Sequence, residues 1–314
     1  MNRHFKKYYF YILGRYFDYF HKYDASIDTY AKSMRFRFFF EDIQTRFANA
    51  YIKKTKKSSL IIRGGVGDFL QSIPYMLKNK SATYIVRSHF YKSKDFFDSL
   101  NIEVDQFFIF SDLKEEKQTD QSIEKCGLIY QCPRDLFFES PPFKTKKNIW
   151  NNDFPIVGIH MSGSSFAVNL EITQGLIPKS LPKSFVNHLL MDLSHMNINI
   201  LFFGTKEEIK VLELNENEKL QFACDDDIAN NLSHVAQCNA FIGSDSAFKT
   251  MSSMLKIPTL VICPDRKDNY RDRMFLNPYV KEKVMSVFKY KTLNSNETEK
   301  IISKIKKSLV NLLF

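Results

Sequence analysis

Ser59-Leu60-Ile61-Ile62-Arg63-Gly64-Gly65-Val66-Gly67-Asp68-Phe69-Leu70-Gln71-Ser72-Ile73-Pro74 is the stretch on which the fold of this 314-residue chain turns. Its opening, Ser59 to Arg63, is a short β-branched run and reads as a strand. Three of the chain's ten glycines follow at Gly64, Gly65 and Gly67, where a tight turn needs residues without a Cβ. From Asp68 to Pro74 the pattern reads as a helix start. A strand, a glycine turn and a helix form the opening unit of an α/β domain.

Outward from this unit the alternation continues. Further strands are expected at Ala82–Arg87, Gln106–Phe110 and Gly127–Gln131. The stretch Pro141 to Asp153 is rich in proline and lysine, holds the only tryptophan (Trp150), and reads as a linker. A second strand run begins at Pro155 and ends at His160. A polar loop, Ser162 to Ser165, and a long insertion to Pro178 follow. A helix is expected to start near Pro182, because Phe185, Leu189, Leu193 and Met196 recur at helical spacing and proline suits a first turn. Strands are expected at Ile198–Phe203, Ala240–Gly243 and Thr259–Cys263, and a helix at Phe248–Leu255. The tail from Glu297 is amphipathic, with Ile301, Ile305, Leu309 and Leu312 on one face. The expected architecture is two stacked parallel-sheet domains with a cleft between them. The expected boundaries are 1–57 for a helical basic-aromatic extension, 58–150 for the first domain and 151–314 for the second.

Composition narrows the class. The chain is 44% hydrophobic and 25% charged, ordinary for a globular protein. No apolar stretch reaches the roughly 18–20 residues of a membrane-spanning helix. The N-terminal apolar run ends at Gly14, with Arg15 and Asp18 after it and no small-residue cleavage site, so it reads as retained rather than as a signal peptide. The five cysteines are odd in number and lack a C-x-x-C pair, which fits a reducing, cytoplasmic setting. The seven histidines show no metal-ligand spacing, so no metal is expected. The net charge of +10 is lopsided: residues 1–57 hold 13 Lys/Arg against 5 Asp/Glu and 17 of the 46 aromatic residues.

Three loops at strand ends could carry chemistry. Gly64, Gly65 and Gly67 allow close approach to backbone N–H groups at a helix start, where negative charge is favoured. The spacing is not that of a dinucleotide fingerprint. Asp68 there could take a proton from an attacking hydroxyl, or it could cap the helix. Gly243-Ser244-Asp245-Ser246-Ala247-Phe248-Lys249 places small polar residues at a helix N-terminus. It reads as a phosphate cradle with Lys249 as counter-charge, or as an ordinary N-cap. Lys179, just before Pro182, could neutralise a leaving diphosphate or simply be solvated. Together the three loops lie at the edge where open α/β sheets bind ligands.

These residues, in order, resemble the ADP-heptose–lipopolysaccharide heptosyltransferases of glycosyltransferase family 9. Arg63 to Pro74 looks like the family's opening motif, with its Gly-Asp pair and following proline. Gly158 to Ser164 is similar to the strand and loop that open its donor domain, and Lys179-Ser180-Leu181-Pro182 to its Lys-x-Trp-Pro segment. Phe203 to Glu208 resembles the strand, glycine and acidic residue near the donor ribose. Gly243 to Ser246, then Lys256 to Thr259, resembles its Asp-Ser/Thr-Gly segment and the strand after it.

The resemblance implies a GT-B fold of two Rossmann-like domains, the second holding the nucleotide sugar and the first the acceptor, and an inverting, metal-independent glycosyltransferase that needs no cofactor. It would move heptose or another sugar from a nucleotide-diphospho-sugar to a surface-glycan, lipid-linked or protein acceptor. It implies Asp68 as general base and Lys179 as stabiliser of the leaving group. Donor contacts would come from Ser162, Gly163, Ser164, Gly204, Glu207 or Glu208, Asp245, Ser246, Ala247 and Lys249. Ala247 and Thr250 depart from the family's usual glycine and histidine. They motivate an alternative, a catalytically degenerate nucleotide- or sugar-binding protein on the same scaffold.

The front segment lies outside every one of these motifs. Its cations interleaved with Phe5, Tyr8, Tyr9, Phe10, Phe17 and Phe20 suit an interfacial helix on an anionic bilayer at the inner face of the cytoplasmic membrane. They suit equally well packing on the protein's own body or self-association. Nucleic acid is not an expected partner, because the remaining 257 residues are nearly neutral, with 32 basic and 30 acidic groups.

Overall fold

The computed structural model describes residues 3–34, 40–55, 59–62, 66–107, 134–145, 150, 152–162, 180–225, 227–265 and 276–314, some of them by backbone alone. The chain forms two compact units, Met1–Asp135 and Leu136–Phe314.

In the first unit three helices precede a sheet: α1 (Arg3–Tyr19), α2 (Tyr23–Met34) and α3 (Phe40–Thr55). Gly14 on α1 lies against the ring of Tyr30 on α2, so closely that a Cβ would sit 2.6 Å from it. Ser26 donates to the Gly14 carbonyl at 3.2 Å. Burial pushes the Tyr30 phenol up to about 12. Lys53 of α3 reaches Asp18 at 2.9 Å, and the Tyr51 hydroxyl bonds Asp105 of the sheet. The extension therefore packs on its own unit, with Tyr30, Ile43, Phe47 and Ala50 buried.

Strands β1 (Ser59–Ile61), β2 (Thr83–Arg87) and β3 (Glu103–Phe107) pair in parallel in the order β1-β2-β3. β3 begins three residues ahead of the strand expected at 106–110, whose last three positions lie outside the described residues, as does the whole strand expected at 127–131. Between β1 and β2 runs α4 (Val66–Lys78), which buries most of its length: Asp68 to Pro74, and Met76. Phe69 stacks on Phe90 at 4.0 Å between ring centroids. Two short helices, α5 (Ser88–Tyr91) and α6 (Lys94–Ser99), cross from β2 to β3.

The second unit is a doubly wound sheet. Its strands are β4 (Ile156–His160), β5 (Asn199–Phe203), β6 (Leu220–Ala223), β7 (Ala240–Gly243), β8 (Thr259–Pro264) and β9 (Met285–Tyr290). They are all parallel, in the order β6-β5-β4-β7-β8-β9. Connecting helices are α7 (Lys183–Ser194), α8 (Lys206–Leu212), α9 (Ile228–Val235), α10 (Ala247–Met254) and α11 (Asn277–Lys281), and α12 (Ser295–Leu313) follows the last strand.

Side chains of a strand alternate between faces, and the sheet's two layers follow from that. Val157, Ile159, Ile200, Phe202, Ala240, Ile242, Leu260 and Ile262 share one core with Phe185, Leu189 and Leu193 of α7 and Ile301, Ile305 and Leu309 of α12. The residues between them face the other way. Gly158 there leaves room for the Phe241 ring, which a Cβ would meet at 2.6 Å, and Phe203 contacts Phe241 and Phe248. Each fully buried aliphatic or aromatic side chain contributes about 1.5–3 kcal/mol.

Two local expectations are corrected. Leu312 is 44% exposed, because the helix outruns the core it covers, and Ile302 is buried instead. Pro182 stands at the N-cap of α7 rather than inside its first turn. Just before the segment expected as a linker, the Phe138 amide donates to the Met254 carbonyl, and within it the Trp150 indole donates to the Glu218 carbonyl, both inside the second unit. The division thus falls at Asp135/Leu136, ahead of the boundary read at 150.

Candidate functional site

The order β6-β5-β4-β7-β8-β9 reverses direction between β4 and β7. At such a switch point the connections on either side lead away from each other. The carboxyl ends of the two strands then open a crevice where α/β sheets hold ligands. The residues there are His160, Met161 and Ser162 after β4, and Ser244, Asp245 and Ser246 after β7.

The crevice is tightly built. The Ser244 amide donates to the His160 carbonyl at 3.0 Å. Gly243 has no room for a side chain, since a Cβ would lie 2.7 Å from that same carbonyl oxygen. Ser246 caps α10, its hydroxyl accepting from the Lys249 amide at 3.3 Å, and lies 2.9 Å from His160 Nδ1. Thr250, where the resembled family often has histidine, directs its hydroxyl to the Ser246 carbonyl at 3.4 Å.

On the other side of the His160 ring, Nε2 is 3.9 Å from Glu208 Oε2. Glu208 closes a capping box at the start of α8: Thr205 Oγ1 accepts from the Glu208 amide, and Oε2 accepts from the Thr205 amide at 2.7 Å. Gly204 makes this possible, because a Cβ there would come within 2.8 Å of Oε2. Burial pushes the Glu208 carboxyl up. The nearby His160 ring, the Thr205 amide and the Ser162 hydroxyl outweigh it, so the group sits below its ordinary value. His160, Ser246 and Glu208 thus tie three loops of one sheet edge together.

A pocket opens beside this network. Met161, Leu181, Phe202, Val211 and Leu212 give it apolar walls, and His160, Ser162, Ser180, Lys183 and Glu208 give it polar groups. Ser162 and Ser180 share a buried hydroxyl–hydroxyl bond of 3.0 Å. An apolar slot with a few convergent polar groups is the usual form of a small-ligand site.

Of the residues expected to contact a donor, Ser162, Gly204, Glu208, Asp245 and Ser246 gather at this edge. Glu207 is exposed on the first turn of α8, and Ala247 opens α10. Lys249 differs from the expectation of a counter-charge facing a ligand. It is 1% exposed, with its ammonium 3.1 Å from Asp245 Oδ1. Its ammonium is taken up by the i,i+4 carboxylate of the preceding loop instead of facing solvent. Gly163, Ser164 and Lys179 lie outside the described residues, as do Gly64 and Gly65. His160 and Ser180 join the site without a local sequence motif that marks them. The available signal was a polar residue ending an apolar strand at the switch point.

In the first unit Asp68 occupies the third position of α4, where a carboxylate suits the helix dipole. It is 8% exposed. Arg134 Nη2 lies 3.1 Å from its Oδ1, and Nη1 donates to Gln71 at 3.2 Å. The neighbouring Asp135 amide donates to the Gln71 carbonyl at 3.1 Å. Gly67 sits just before, in the first turn. Asp68 is therefore a buried, oriented carboxylate rather than a solvated cap.

No protein-family model and no curated protein sequence matches the chain. Among solved structures it is similar to the E. coli ADP-heptose LPS heptosyltransferase II, at 10% identity and a TM-score of 0.48 over 81% of this chain and 98% of that one. It is also similar to a family 9 glycosyltransferase from Veillonella parvula, at 9% identity and 0.47, covering 81% and 96%. A third similarity is to an E. coli heptosyltransferase with ADP, at 10% and 0.44, covering 81% and 98%. At such identities no residue role passes from these proteins to this chain.

Proposed function

We propose that the chain is an inverting glycosyltransferase that takes a sugar from a nucleotide-diphospho-sugar. The observation that carries this reading is the switch-point edge of the second unit, where a mostly apolar pocket adjoins the linked loops of His160, Glu208 and Ser246. The pocket suits the base. Glu208 suits the ribose hydroxyls, and the N-terminus of α10 suits the diphosphate. Asp68 is the base. It takes the proton of an acceptor hydroxyl, whose oxygen bonds the anomeric carbon as the bond from that carbon to the diphosphate breaks on the opposite face. Lys179 balances the departing charge, and the resemblance carries the absence of a metal requirement. Heptose or another sugar, and a surface-glycan, lipid-linked or protein acceptor, are the classes this reading admits.

The test is Asp68→Asn. Transfer falls about 10²–10⁴-fold, the ordinary contribution of a general base, while nucleoside diphosphate affinity stays within twofold. Undiminished transfer would remove Asp68 from the mechanism.

A second reading, a non-catalytic nucleotide- or sugar-binding protein, is favoured by the pairing of Asp68 with Arg134, which gives the aspartate a structural role. Tight binding of a nucleotide sugar with no release of nucleoside diphosphate, across donors and an acceptor extract, would select it.

A further inference from the structure

The outward face of α1 is the feature the catalytic reading leaves unused. At 100° per residue, Tyr8, Tyr9, Ile12, Arg15, Tyr16, Tyr19 and Phe20 span an arc of roughly 140°. All of them are exposed, Ile12 at 63% and Tyr19 at 78%. The opposite arc packs inward through Phe10, Leu13, Gly14 and Phe17, which are buried or half-buried. A helix on the surface of a soluble domain normally presents charge outward. Here the outward arc holds six apolar or aromatic residues and one cation.

On this outward arc of the helix the charge has one sign. The helix carries four Lys/Arg and a single acidic residue, Asp18, and Asp18 is half-buried and held by Lys53 at 2.9 Å. Exposed Lys22 follows at the helix end. No carboxylate therefore lies on the exposed arc. The aromatics are mostly tyrosine, whose ring accepts an apolar environment while its hydroxyl stays wet. That is the pattern of the lipid–water boundary rather than of a helix–helix seam.

We propose that α1 docks the protein flat on an anionic lipid bilayer, with the Tyr8-Tyr9-Ile12-Tyr16-Tyr19-Phe20 face entering the headgroup region and Arg15 and Lys22 on the lipid phosphates. No described helix is long and apolar enough to cross a membrane, so the mode is docking on one face. The inference stands independently of the transferase reading, since neither the pocket nor Asp68 enters it.

The test is flotation of the full chain with vesicles of phosphatidylcholine, alone or with about one-third phosphatidylglycerol, at low and high salt. The full chain floats with the anionic vesicles and at least tenfold less with the neutral ones, and high salt weakens the binding. The triple variant Ile12→Ser, Tyr16→Ser, Tyr19→Ser keeps its melting temperature, because these side chains are exposed, and loses at least tenfold in vesicle binding. Arg15→Glu leaves the apolar face intact and weakens binding to anionic vesicles alone. Equal flotation with both compositions, or undiminished binding of the triple variant, would overturn the proposal. So would a dimer at micromolar concentration that the triple variant dissolves, which would make the face a protein–protein seam.

Discussion

The two units each hold a buried carboxylate at the start of a helix, and they hold it by different means. Glu208 in the second unit is fixed by its own neighbourhood, through the Thr205 capping box, the Gly204 backbone and His160 from the adjacent strand. Asp68 in the first unit is fixed by Arg134, a residue that arrives from the far end of its unit. A carboxylate built into local geometry suits a binding role, where the group must always be in place. One held by a distant cation can be freed or redirected when that segment moves.

Removing the distant cation tests this contrast hardest. Arg134→Met leaves Asp68 largely buried without its partner and costs about 3 kcal/mol, since breaking a buried pair is far more expensive than lacking one. Chemical denaturation of the full chain measures it. Asp68→Asn combined with Arg134→Met recovers part of the loss, and the double-mutant cycle isolates the coupling. A loss under about 0.5 kcal/mol would equate the pair with an ordinary surface bridge.

A smaller effect is expected from Gly243→Ala. The added Cβ meets the His160 carbonyl oxygen at 2.7 Å, and backbone on both sides cannot give way cheaply. The cost is about 1–3 kcal/mol, or roughly 2–12 °C in melting temperature at 2–4 °C per kcal/mol. An unchanged melting temperature would show that β4 and β7 separate more readily than their pairing implies.

The smallest effect is in pH dependence. The Glu208 carboxyl sits below its ordinary value of 4.5 when folded, so near and below that pH the unfolded chain binds more protons. Stability therefore rises with pH there. The contribution of Glu208 is complete above its unfolded value and is lost as pH falls through the folded one. Glu208→Gln flattens the acid side of the stability profile and leaves its alkaline side alone. An unaltered acid limb would detach Glu208 from His160.

The same contrast separates what the sequence reveals from what it hides. Strands β4, β5 and β7 are buried at every position, as β8 is up to Pro264. They read as continuous apolar runs, so the sheet core and its switch-point loops are legible. The edge strands β6 and β9 are half-exposed and carry Gln221 and Lys289 among their apolar residues, so their periodicity is lost among loop residues. The resemblance offers Glu207 or Glu208, and the capping box from Thr205 to Glu208 is the local pattern that separates the two. Arg134 is not legible: it reaches Gln71 across 63 residues, and no local rule links them. His160 hides for another reason. Alternation assigns it to a face, but only the order of the strands puts that face at the switch point.

Isothermal titration of the full chain with ADP, UDP, GDP and CMP tests the central claim most directly. The account predicts that at least one of them binds, that Glu208→Ala weakens that binding at least tenfold, and that Asp68→Asn leaves it within twofold. Binding by none of the four, or binding that Asp68→Asn abolishes and Glu208→Ala spares, would contradict it.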